Sequence, residues 1–281
     1  MAKLAENRYG KARVRVMRVR RDADVHRVTE WTVQVLLHGD FESCFTDGDN
    51  SKILPTDTMK NTVYSLARKS SADCMEDFAK ELIEFLLSRN PQVSAAEVEV
   101  TEEPWLPLNV GGAAHPTTFV QREGERQTAR AAKWRNEQFE ISAGLENLTI
   151  LKTAGSAFAG YIKDSLTTLP ETRDRLFGTS LRATWSYDAG NLPFRTLRGK
   201  IREALLVAFA EHQSESVQHT LYYMAEKALA AAPNLTEIEL VMPNKHCLLV
   251  DLSRFGQDNP NEIFVPTDEP HGYIEAKVRR R

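Results

Sequence analysis

Only three cysteines occur in 281 residues, at positions 44, 74 and 247. An odd number so widely spaced supplies neither a disulfide framework nor a CxxC metal site, and the thiols read as small residues in a reducing environment. No charge sign dominates: 36 Lys and Arg stand against 39 Asp and Glu, a net charge of −3. That balance implies neither nucleic acid nor a membrane surface as partner. The longest apolar run, "ALLVAFA" at 204–210, falls far short of the ~20 residues that span a bilayer. The N-terminal "MAKLAENRYGK" has no apolar stretch or small-residue cleavage site, which predicts a protein that works in the cytoplasm. No GxGxxG follows a strand, and neither a Walker sequence nor GxSxG occurs; "NVGGAAHP" (109–116) is a Gly-rich loop without a helix behind it. Seven histidines are scattered at 26, 38, 115, 212, 219, 246 and 271, with no HExxH or HxH, so a metal site is not expected, and the missing glycine-rich motifs leave nucleotide cofactors unsignalled.

What the chain does have is apolar patterning, with 42% hydrophobic residues, enough for a sizeable core. "RVRVMRV" (13–19) and "EWTVQVLLHG" (30–39) alternate as strands, the second with Trp31, Val33, Val35 and Leu37 on one face. Helical spacing follows over 55–70, opened by Pro55, Thr56 and Asp57, and over 74–90. Alternation returns at 95–105, and 117–134 supplies a further strand or ribbon. The first half therefore reads ββααββ.

The second half repeats that order: strands at 146–155 and 180–188, helices at 194–213 and 216–232, strands at 236–242 and 247–252. "EVEV" at 97–100 answers "EIEL" at 237–240, an offset of about 140 that supports duplication. The chain divides on this reading into 1–139 and 140–281, an α+β protein whose two antiparallel sheets each carry helices on one face. The halves differ where their first two strands connect: a short link near 22–29 against a long one, 156–179, of the kind that often carries function. Sheets of this kind leave edges that an oligomeric barrel would close.

Six short polar clusters stand in order along the chain: "RYGK" (8–11), "PTDTMKNT" (55–62), "SAFAGY" (156–161), "TTLPETRDR" (167–175), "SVQHTLYYMAE" (216–226) and "PNKH" (243–246). In order and spacing they resemble the motifs of the urate oxidase (uricase) family over nearly the whole chain. The resemblance implies the tunnelling fold (T-fold), two ββααββ halves per chain assembled as a homotetramer. It also implies oxidation of urate by dioxygen and water to 5-hydroxyisourate and hydrogen peroxide, with no metal or organic cofactor.

The resemblance assigns roles that chemistry makes intelligible. Arg175 would offer a planar fork to one edge of the purine anion, and Gln218 a donor and acceptor to the opposite edge. Phe158 would stack on the ring. Val217 and Leu169 would line the pocket, and Thr56 and Asp57 would arrive from a neighbouring subunit at a helix N-terminus suited to an anion. Lys11, Thr56 and His246 would relay protons, and Asn244 would hold dioxygen or water over the ring. A lysine acting as base near neutrality needs surroundings that disfavour its charge; burial or Arg8, Arg13 and Arg15 could serve.

Taken singly, these residues have plainer readings: a surface ion pair of Arg175 with Asp174 or Glu171, a core Phe158, helix capping by Thr56 and Asp57, a solvated Lys11, a turn histidine at 246. Two other functions stay open at this level, a non-catalytic purine-binding oligomer and another T-fold purine or pterin enzyme. Many of the latter use an anchoring glutamate or zinc, which the Arg175 and Gln218 pair does not suggest. The chain ends in "AKVRRR", unlike the Ser-Lys-Leu-type peroxisomal signal of many eukaryotic members, which again predicts the cytoplasm.

Overall fold

A computed structural model describes residues 2–281. The chain clusters into two units, residues 1–144 with 186–196 and residues 145–185 with 197–281.

In the first unit, β1 (Tyr9–Arg20) and β2 (Arg27–Gly39) precede a short α1 (Glu42–Thr46), then α2 (Thr56–Lys69) and α3 (Met75–Arg89). Four strands follow: β3 (Val93–Glu102), β4 (Trp105–Val110), β5 (Ala113–Gln121) and β6 (Arg126–Trp134). The sheet runs β1-β2-β3-β6, with β4 and β5 paired apart as a two-stranded ribbon. The alternation in β2 works as its pattern predicts, since Trp31, Val33, Val35 and Leu37 are all at most 1% exposed. Met59, Val63 and Ala67 make a buried stripe at four-residue spacing on α2, which packs on β1, and α3 packs on β3 and β6. The Trp31 and Phe78 rings meet at 4.9 Å in this core.

The second unit takes up β7 (Glu140–Lys152) after Gly144, then β8 (Phe177–Tyr187), α4 (Phe194–Glu211), α5 (Val217–Ala231) and β9 (Leu235–Val241). It closes with β10 (Asn244–Leu249), β11 (Phe264–Gly272) and β12 (Glu275–Arg279). β8 lies between β7 and β9, β12 pairs with β9, and β10 pairs with β11 while touching β8 through Lys245 and Gly178. α5 packs on β9 and β12.

Two expectations need correction. In both units the run of strands after the helices contains a ribbon that ββααββ omits: β4-β5 lies between β3 and β6 in sequence, and β10-β11 between β9 and β12. The stretch 247–252 is therefore no partner of β9; β12 is. Proline hid these ribbons, because Pro107, Pro116, Pro266 and Pro270 argue against strand wherever a ladder N–H is needed, whereas a two-stranded ribbon leaves an edge that tolerates them. The Gly-rich "NVGGAAHP" is the hairpin turn of the first ribbon, with Gly111 and Gly112 both at positive φ, 61° and 86°.

The strands that open the two units share a detail: β1 has Arg13 at φ 59° beside a register shift between Lys11 and Val14, and β7 has Asn147 at φ 57°. A left-handed residue inside a strand marks a bulge, which re-aims the side chains around it.

Candidate active site

The long link after β7 folds back on itself. Phe158 and Thr172 exchange backbone hydrogen bonds of 2.8 and 3.0 Å, while Ala157 N–H donates to the Ser214 carbonyl at 2.7 Å. Those bonds tie the Phe158 segment to the chain just ahead of α5, whose N-cap Ser216 accepts from His219 N–H at 3.1 Å. Asp174 fixes the base of the link by accepting from Gly155 N–H at 2.7 Å.

Above this platform lies a cavity of about 460 Å³ lined by Phe158, Leu169, Arg175, Asn244 and His246 among others. Five of the residues singled out from sequence thus share one cavity. The Arg175 guanidinium carbon stands 5.3 Å from the Phe158 ring centroid, and Phe158 stacks on Tyr161 at 4.8 Å with planes 16° apart.

The ion-pair reading of Arg175 fails on geometry. Segment 170–176 is not helical, Glu171 pairs with Lys163 at 2.9 Å, and Asp174 is committed to backbone N–H groups. Arg175 Nε is buried with no hydrogen-bond partner, and burial pushes its guanidinium below the usual arginine range. A desolvated cation without a counter-charge is costly unless a ligand completes it.

Asn244 and His246 are half-buried members of β10, opposite Gly272 and Thr267, with a register shift between them. The chain does not turn at "PNKH"; it enters a new strand there. Lys245 also borders the cavity, its ammonium 3.2 Å from Asp268. Val217 and Gln218 open α5, Val217 buried and Gln218 exposed, and neither lines the cavity.

Lys11, Thr56 and Asp57 belong to the first unit. The capping reading fails here too: the N-cap of α2 is Pro55, and no side chain caps the helix. Asp57 instead bonds Lys60 and Asn61, and these contacts, with Lys11 nearby, hold its carboxyl below the usual range. The first-turn N–H groups of α2 are left open to a ligand. Arg15 pairs with Glu30, so its charge is answered rather than directed at Lys11.

Two residues of "RYGK" carry positional work that the sequence alone did not disclose. Tyr9 hydroxyl donates to the Leu54 carbonyl at 3.1 Å and accepts from Leu54 N–H at 2.7 Å, fastening the entry of α2 to the start of β1. At Gly10 a Cβ would run into the Val35 carbonyl, so only glycine fits beside β2. Among the described residues no three His, Cys, Asp or Glu side chains converge so as to hold a metal ion, and no helix is long and apolar enough to cross a membrane.

In an antiparallel α+β protein, an arginine with a buried, unpartnered Nε beside an aromatic ring in one cavity is the chemistry that suits a flat anion. The family model described as Uricase matches residues 7–132 and 141–275. A uricase of Arthrobacter globiformis is 39% identical over 277 residues, 99% of this chain and 90% of the relative. One from Dictyostelium discoideum is 34% identical, over all of this chain and 98% of the relative. The crystal structure of uricase from Arthrobacter globiformis superposes with a TM-score of 0.93 over 100% of this chain and 96% of that one, at 38% identity. The chain belongs to the uricase family.

Proposed function

We propose that this chain is a cofactor-independent urate oxidase, converting urate, dioxygen and water to 5-hydroxyisourate and hydrogen peroxide. The observation that carries the reading is the buried, unpartnered Nε of Arg175 above Phe158 in a cavity of purine size. Family membership supports it.

Urate gives two electrons and two protons to dioxygen, forming peroxide, and water then adds to the oxidised ring at C5. The substrate is itself electron-rich, so the protein's tasks are to bind its anion, orient it and move protons. Arg175 grips one edge with two parallel N–H donors, its permanent charge favouring the anion. Phe158 receives the ring face, backed by Tyr161. Gln218, at the start of α5, takes the opposite edge, with Val217 beside it and Leu169 on the apolar wall. Asn244 holds dioxygen or water over the ring, and His246, two residues along β10, joins Lys11 and Thr56 in passing protons.

The working form in this reading is a homotetramer of chains with two tandem T-fold halves, 1–139 and 140–281. Thr56 and Asp57 reach the purine from a neighbouring copy; the uncapped N-terminus of α2, where both side chains are free of capping duty, supports that role.

The test is urate-dependent oxygen uptake by chelator-treated protein, with peroxide measured alongside. Equimolar loss of urate and dioxygen is expected. Urate binding without oxygen uptake would leave a purine-binding oligomer, and activity restored only by added metal would overturn the cofactor-free reading.

A further inference from the structure

A second cavity, of about 210 Å³ and wholly within the first unit, is lined by Arg18, Arg20, Arg27, His26 and Arg195, with Asp73 and Glu102 as its acids. Arg18 is its centre. Its guanidinium lies 4.9 Å from the Trp31 ring centroid and donates through Nη2 to the Ala72 carbonyl at 2.5 Å, an oxygen that also accepts from Arg20 Nη2 at 2.9 Å. Two cationic forks thus converge on one neutral acceptor. Arg18 Nε and Nη1 remain buried without a partner. The cavity's acids are already engaged: Asp73 stands 3.6 Å from Arg195 on the same lining, and Glu102 accepts from Trp31 Nε1 at 2.8 Å. Arg27 finds Asp22 only at 3.7 Å.

Among the described residues, Arg18 and Arg175 are the arginines with buried, unpartnered guanidinium nitrogens. Arg175 faces the cavity described above; Arg18 carries the same mark in a space that no part of the reaction uses. We infer that this second cavity is an oxyanion site, taking a phosphate-type dianion, free or as a terminal phosphomonoester. Its volume lies below the ~300–1,000 Å³ of sites for drug-sized ligands, which suits a small tetrahedral ion. Convergent guanidinium forks match its oxygens, and the Trp105, Pro107 and Phe119 wall lowers the local dielectric. An ion held there links the end of β1 to the segment between α2 and α3, and so stabilises the folded chain by mass action.

The experiment is thermal unfolding of the full chain in inorganic phosphate, in AMP and in sodium chloride at matched ionic strength, with phosphate affinity read from ³¹P line broadening. Phosphate is expected to raise Tm by a few degrees over chloride. R18Q should weaken phosphate by at least ~10-fold and erase that rise, leaving urate turnover unchanged; R175Q should keep the rise. An equal rise with AMP assigns a phosphomonoester, and a rise with phosphate alone assigns the free ion. A merely structural Arg18 would lower the Tm of R18Q equally in both salts, and that result, or a phosphate rise equal in R18Q and the parent, would overturn the site. Should R18Q not fold, R20Q carries the same comparison.

Discussion

The links that follow the opening strands of the two units differ fourfold in length, residues 21–26 after β1 against 153–176 after β7. Each ends up beside a cavity with an uncompensated arginine, yet the cavities differ in kind. The short link leaves a crowd of cations around a small space; the long one folds back to supply an aromatic ring, an apolar wall and room for a planar molecule. Charge alone makes an ion site, and it takes extra chain to make a site for a ring. In the proposed mechanism the first unit contributes something different: the strand bulge at Lys11 and the uncapped N-terminus of α2 would place proton-handling groups rather than a binding surface.

The strongest way to break that division of labour is to remove its proton carriers. K11M and T56A should each lower kcat by about 10²- to 10⁴-fold while urate binding, followed by equilibrium titration, changes little. A variant that lost binding in proportion to rate would place Lys11 in the purine grip instead. R175A should behave in the opposite sense, weakening urate by about 2–5 kcal/mol, with the loss appearing in KM and in the titration. An unaltered isotherm would remove Arg175 from the site.

A smaller effect separates paired from unpaired arginines. Arg130 and Glu97 are bonded at 2.6 Å, Glu97 being only 10% exposed at its side chain. Burial pushes the Glu97 carboxyl up, and the Arg130 hydrogen bond and charge outweigh it, so it titrates below the usual range. Its stabilisation is therefore present above the unfolded carboxylate value, ~4.3, and is lost as pH falls through the lower folded value. R130Q should cost about 1–3 kcal/mol near neutrality, discounted for the partial exposure of Arg130. In urea titrations the gap between variant and parent should close below that value. R175Q, whose arginine answers no carboxylate, should show no such gap in the absence of urate.

Alternation and helical spacing made most of the scaffold legible, because β2, α2, α3 and α5 each bury one regular face against the sheets. The ribbons were legible only in part: 117–134 overlaps β5 and 247–252 overlaps β10, whereas their partners β4 and β11, "WLPLNV" and "FVPTDEPHG", carry prolines and little alternation. Their faces are mostly exposed, so no core imposed a pattern on them. For the site, the six motifs pointed to residues of which Phe158, Leu169, Arg175, Asn244 and His246 do gather around one cavity. What they could not disclose was why Arg175 is free: that depends on Glu171 and Asp174 being occupied by Lys163 and by backbone N–H groups, contacts set by the fold of the long link. Alternation along an extended segment puts Asn244 and His246 on one side, but "PNKH" also reads as a turn, and only the pairing with β11 makes it a strand.

The finest test concerns the ring that the long link delivers. Phe158 has one face on Tyr161 and the Arg175 cation near it, so its plane is set before any ligand arrives. F158L keeps apolar bulk but loses the flat face, and the aromatic contribution beyond area burial is about 0.5–1.5 kcal/mol. Urate affinity should fall by roughly 2- to 10-fold, and kcat at saturation should fall less, because stacking holds substrate and transition state nearly alike. A drop confined to kcat would mean that the ring aims the purine rather than holding it, and the contrast between a binding unit and a proton-handling unit would then be less sharp than the two links suggest.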